Sequence, residues 1–142
     1  MRLWEEAPMS ILAVIPARYA SSRFPGKALA DIDGKPMIWH VYQAALKSLA
    51  QSVVVAMDDD RILQACSKEG MTAWRTSVEH QTGSDRVAEA ALTTDADIIV
   101  NIQGDEPLIE PSVINEVIDV LLQDESVQVA NLCATIHDAA EV

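Results

Sequence analysis

Lysine and arginine are missing from residues 87–142, a stretch that holds twelve aspartates and glutamates. Residues 1–86 carry all ten basic residues and ten acids, so the whole formal charge of −12 lies in the later stretch. A chain without a basic face does not suit general nucleic-acid binding. The acidic stretch reads as a solvated surface, or more sharply as the counterpart of a basic partner segment. Aromatics are scarce too, with one Phe, two Tyr and three Trp, so the core has to be aliphatic. At 49% hydrophobic residues the 142-residue chain has material for one domain. No apolar run is long enough to span a membrane. The start, MRLWEEAP, has no apolar signal region, and residues 1–8 read as an extension outside the fold, with Met9 as an alternative start. Only two cysteines occur. Cys66 and Cys133 lie far apart in apolar surroundings and read as buried free thiols rather than as a disulfide or metal ligands. These features together predict a cytoplasmic protein.

What is present alternates. The runs ILAVIPA (11–17), SVVVAM (52–57) and DIIVNIQ (97–103) read as buried strands, with a shorter one in TAWRTS (72–77) and a last one in VQVANLCATI (127–136). Between them stand helical patterns. PMIWHVYQAALKSLA (36–50) opens with proline and spaces Met37, Ile38, Val41, Tyr42, Ala45 and Leu49 along one face. DDDRILQACSKEG (58–70) has acids at its start and a closing glycine. TGSDRVAEAAL (82–92) pairs Thr82 with Asp85 as in a capping box, and PSVINEVIDVLLQ (111–123) carries an apolar face. The order β-α-β-α-β-α-β-α-β predicts an α/β fold, a mostly parallel sheet with helices on both faces.

In such a sheet, ligands bind beyond the carboxyl ends of the strands. Three polar stretches fall there. PARYASSRFPGK (16–27) concentrates Arg18, Arg23 and Lys27 with two serines. It matches neither GxxxxGK[ST] nor GxGxxG. Forked arginine donors and a compact lysine charge suit a polyphosphate, and a solvated turn with surface cations is the other reading. NIQGDEP (101–107) sets Asp105 and Glu106 after a strand, where one carboxylate facing a polyphosphate would ligate Mg²⁺. Alternation of side chains lets one of the two face the site, and both also suit an ordinary turn and helix start. EHQTGSDR (79–86) offers the free N–H groups of a helix N-terminus to a phosphate or a base edge. Its His80 has no evident partner and reads as a polar contact more readily than as a base. Asp58, Asp59 and Asp60 fit a helix start better than a metal cluster, and Trp39 and Trp74 fit half-buried packing.

Taken together, VIPARYASSRFPGKALADIDGKPMIWHVY, HQTGSDRVAEA and IIVNIQGDEPLI resemble the 3-deoxy-manno-octulosonate cytidylyltransferases, or CMP-Kdo synthetases. The resemblance covers residues 11 to about 138. It implies a Rossmann-like nucleotidyltransferase fold acting as a homodimer. The family uses CTP and Mg²⁺ to activate the sugar acid Kdo for lipopolysaccharide biosynthesis, with release of pyrophosphate, and has neither nucleic acid nor membrane as a partner. By this resemblance Arg18 and Lys27 hold the triphosphate with Arg23 nearby. Ala17, Gln81, Thr82, Gly83 and Arg86 contact cytosine and ribose. Gln103 contacts the sugar acid and Asp105 ligates Mg²⁺. Arg18, Lys27 and Asp105 carry the catalysis. The family is considerably longer, so residues 9–142 would be the nucleotide-binding front half of the domain. The back half would supply a second metal-binding Asp, much of the sugar pocket and most of the dimer interface. Two alternatives accompany this reading: a related acidic sugar as substrate (a sialic acid or amino-Kdo), or an inactive nucleotide-binding fragment.

Overall fold

The computed structural model describes residues 7–135. Most of the expected extension, residues 1–6, lies outside the described residues, as does Ile136 at the end of the last expected strand. The centre of the molecule is strand β1 (Ile11–Ala17), whose seven residues are all buried. It hydrogen-bonds in parallel to two neighbours, β4 (Ser52–Met57) and β6 (Ile98–Asn101). Strand β5 (Ala73–Arg75) extends the sheet beyond β4, giving the order β5-β4-β1-β6. A strand walled on both faces needs apolar residues at every position, which is why ILAVI runs without alternation.

Side-chain alternation divides the core in two. Ile11, Ala13, Ile15 and Ala17 face helices α1 (Met37–Leu46), α2 (Asp60–Lys68) and α4 (Pro111–Gln123). Leu12 and Val14, with Val54 and Ala56 of β4, face α3 (Gly83–Ala91) through Val87 and Ala90. Trp39 and Trp74 pack half-buried at the margins of these two clusters. Ile15 has no exposed surface. Truncating Ile15→Ala is expected to cost about 2–5 kcal/mol, as other buried Ile→Ala changes do. Urea unfolding measures this, and a loss under 1 kcal/mol would mean that β1 is not the centre of the core.

Five local expectations need correction. The helix expected over 36–50 ends at Leu46, and Leu49 is therefore exposed rather than on the apolar face. Pro36, extended, serves as its N-cap residue. The stretch between the strand 11–17 and the helix, for which no regular element is expected, contains a two-stranded hairpin, β2 (Asp31–Ile32) and β3 (Lys35–Pro36). Its turn uses Asp33 and Gly34 at positive φ, a conformation that Asp-Gly pairs favour. The last expected strand is absent: residues 127–135 have no regular structure. They do not pair with the edge of β6. Val129 to Leu132 instead line the far side of a groove of about 600 Å³ from Ile99–Ile102 and α4. Strand propensity without a ladder partner does not make a strand. Cys133 sits in that segment and is exposed, contrary to expectation, whereas Cys66 is buried as expected. Burial pushes the Cys66 thiol up to about 11.

Candidate active site

The carboxyl ends of β1, β4, β5 and β6 open on one edge of the sheet, and a cavity of about 460 Å³ lies there. The three polar stretches converge on it. Ala17, Arg18 and Lys27 come from β1 and the loop after it. Gln81, Thr82, Gly83 and Arg86 come from the start of α3, and Gln103 and Asp105 from the turn after β6. Arg23 is exposed and does not line the cavity. Asp105 lines the cavity, and Glu106 lines the groove beside α4 instead.

Local structure explains how each wall is held. The cationic loop closes where Gly26 N–H donates to Tyr19 O at 2.9 Å. Gly26 has φ +69°, and a Cβ there would come within 2.9 Å of the Tyr19 ring, so this close approach requires glycine. A 3₁₀ turn over Lys27–Leu29 follows and presents Lys27 to the cavity. Arg61 lies over the outer face of the Tyr19 ring, its Cζ 3.3 Å from the centroid. Asp59 binds that guanidinium at Nε and Nη2, both at 2.8 Å, and the arginine holds its carboxyl down at about 2.

The second wall begins with Thr82, the N-cap of α3, whose hydroxyl accepts Asp85 N–H at 3.1 Å. The free N–H groups of the helix's first turn stand at this wall of the cavity. Gly83 sits so close to β1 that a Cβ would be 3.2 Å from Pro16 Cγ. His80 has the partner that sequence did not reveal: its Nε2 binds Glu89, whose carboxylate also accepts Ser77 N–H at 3.0 Å. The Ser77 N–H and then His80 hold the Glu89 carboxyl below its ordinary 4.5. A carboxylate lowered in the folded state stabilises above its unfolded value and loses that contribution as pH falls through the lowered one. Below pH 4.5, wild-type stability should therefore fall more steeply than that of Glu89→Gln. Identical acid limbs for the two proteins would contradict the contact.

In the third wall, Lys27 Nζ meets Asp105 Oδ2 at 3.0 Å, both side chains about half exposed. Gln103 donates from Nε2 to Asn101 Oδ1 at 2.9 Å. Arg86 is 2% exposed and forms a buried pair with Asp58. Of the three aspartates after β4, Asp59 is the N-cap of α2 and Asp60 pairs with Arg75, but Asp58 belongs to the cavity's framework. Sequence reading missed Asp58 and Glu89. The available signal was the position of Asp58, the first polar residue past a buried strand.

Two cations, a carboxylate and a helix N-terminus lining one cavity, on the carboxyl edge of a parallel sheet, suit a phosphorylated ligand. A family model described as Cytidylyltransferase matches residues 12–142. The chain belongs to this cytidylyltransferase family. Among relatives, the 3-deoxy-manno-octulosonate cytidylyltransferase of Geotalea uraniireducens is 56% identical over 134 residues, 92% of this chain and 53% of that protein. The chain thus spans about half the length of the curated relatives it matches. A solved structure of CMP:2-keto-3-deoxy-manno-octonic acid synthetase complexed with CTP superposes with a TM-score of 0.81 at 44% identity. It covers 83% of this chain and 49% of that one. A cytidylyltransferase from Leptospira borgpetersenii gives 0.72 at 29% identity, over 82% of this chain and 50% of that one. Among the described residues, no helix is long and apolar enough to cross a membrane.

Proposed function

We propose that this chain carries the nucleotide half of an active site that transfers CMP from CTP to Kdo, giving CMP-Kdo and pyrophosphate. The observation that carries the reading is the convergence of Arg18, Lys27, the α3 N-terminus and Asp105 on one cavity. Arg18 and Lys27 take the β- and γ-phosphates, with Arg23 at the outer edge of the loop. Ala17 and the Gln81–Gly83 backbone border the ribose and cytosine, with Arg86 behind them, and Gln103 meets the sugar acid. The anomeric hydroxyl attacks the α-phosphorus in line. One P–O bond forms as the bond from the α-phosphorus to the oxygen bridging to the β-phosphate breaks, the hydroxyl proton passes to solvent, and pyrophosphate leaves against the two cations. Positioning and charge neutralisation supply the acceleration, with no covalent enzyme intermediate.

Mg²⁺ suits the donor set, because it commonly takes one or two carboxylates and fills its remaining positions with phosphates and water. Asp105 would hold it, half exposed at the cavity mouth. The ion would neutralise phosphate charge and polarise the attacking hydroxyl. The setting that completes the reading is a homodimer in the cytoplasm feeding lipopolysaccharide synthesis. The test joins this chain to the unmatched half of the Geotalea uraniireducens relative and follows pyrophosphate release from CTP and Mg²⁺. Release that depends on Kdo is expected. Release that depends instead on a sialic acid or amino-Kdo would overturn the choice of sugar, and no release with any of them would overturn the activity.

A further inference from the structure

One buried ion pair ties together the elements that wall the cavity. Asp58 follows the end of β4 and Arg86 lies one turn into α3. Arg86 Nη2 donates to Asp58 Oδ2 at 2.9 Å, with the two side chains 3% and 12% exposed. Arg86 Nη1 donates to Thr76 Oγ1 at 2.6 Å and to Ser77 O at 3.1 Å, where the chain leaves β5. The other carboxylate oxygen, Asp58 Oδ1, accepts Tyr19 N–H at 3.4 Å. Tyr19 is the residue whose carbonyl closes the cationic loop on Gly26. A single carboxylate therefore reaches the root of the loop bearing Arg18 and Lys27 and, through Arg86, the root of the wall bearing Gln81–Gly83.

We propose that Asp58 is a positioning residue for the nucleotide site, and that Arg86 works as its counterpart between the two walls rather than as a ligand to the base. The inference rests on the nucleotide reading given above. The loops leave separate strands and have no other buried charge joining them among the described residues. Their separation sets whether triphosphate and base are held at once. A charged pair desolvated to this degree holds its geometry tightly, and loss of one partner strands the other. Asn at position 58 keeps an acceptor for Tyr19 N–H but removes the charge that orients Arg86.

The experiment compares wild type, Asp58→Asn, Arg86→Lys, the double variant and Ile62→Ala. Ile62 is fully buried on α2, lines no part of the cavity, and serves as a control for lost stability alone. CTP·Mg²⁺ dissociation constants are measured at a temperature where each protein is folded, alongside amide NMR spectra of the ligand-free proteins. Asp58→Asn and Arg86→Lys are each expected to weaken CTP binding at least tenfold. The double variant should be no worse than either, since both remove one connection. Amide shifts should appear in both Tyr19–Gly26 and Thr76–Gly83, while Ile62→Ala lowers the unfolding midpoint and leaves affinity unchanged. Wild-type affinity in Asp58→Asn, or affinity losses that merely follow midpoint losses across all variants, would overturn the proposal. If Asp58→Asn does not fold, Arg86→Lys carries the same comparison. If wild type binds no CTP, the nucleotide reading fails separately, and shifts confined to one wall would still overturn the coupling.

Discussion

Lys27→Ala is expected to weaken CTP binding far more than loss of any other lysine. In the ligand-free chain Lys27 spends its charge on Asp105, 3.0 Å away at a half-exposed position. Such a pair adds at most about 1 kcal/mol to stability, so the unfolding midpoint without ligand should hardly move. With CTP bound as proposed, Lys27 would form hydrogen bonds to phosphate in which both partners are charged. Losing one of these costs about 1.5–3 kcal/mol, roughly a tenfold to 150-fold rise in dissociation constant. Lys68→Ala, an exposed change at the far end of α2, is the control and should leave affinity unchanged. Isothermal titration distinguishes the outcomes. Equal affinities for the two variants would remove Lys27 from the triphosphate site.

Asp105→Asn should act in the opposite sense in the absence of metal. The ligand-free pocket holds a carboxylate beside the lysine proposed to receive phosphate, and a carboxylate repels phosphate unless a cation lies between them. Removing its charge frees Lys27. CTP binding measured in EDTA should then be retained or tightened, while the enhancement that Mg²⁺ gives the wild type should disappear. Loss of CTP binding in EDTA, together with an intact response to Mg²⁺, would place the metal elsewhere and make Asp105 a direct ligand contact.

Much of this site was legible because its parts are local. The strands 11–17 and 52–57 and the helix 111–123 fall where hydrophobic runs and a leading proline put them. The three polar stretches meet because a parallel sheet sends every strand end to the same edge. What stayed hidden depends on distant partners. Asp58 reads as a helix-start acid until Arg86, 28 residues on, is seen against it. His80 reads as unpartnered until α3 brings Glu89 alongside, nine residues later. The 127–135 segment has the composition of a strand but no ladder to join, and Cys133 is exposed for the same reason. Arg23 shares the composition of its loop but is exposed and does not line the cavity.

The central claim, that this chain builds a CTP site, is tested most directly by thermal unfolding of the 142-residue protein with Mg²⁺ and either CTP or ATP. A ligand that binds only the folded state at 100 times its dissociation constant stabilises by about 2.7 kcal/mol. For a domain of this size that is roughly a 5–10 °C rise in midpoint. A rise of that order is expected with CTP and a clearly smaller one with ATP. A cooperative transition that is indifferent to both nucleotides, or that responds equally to them, would contradict the claim.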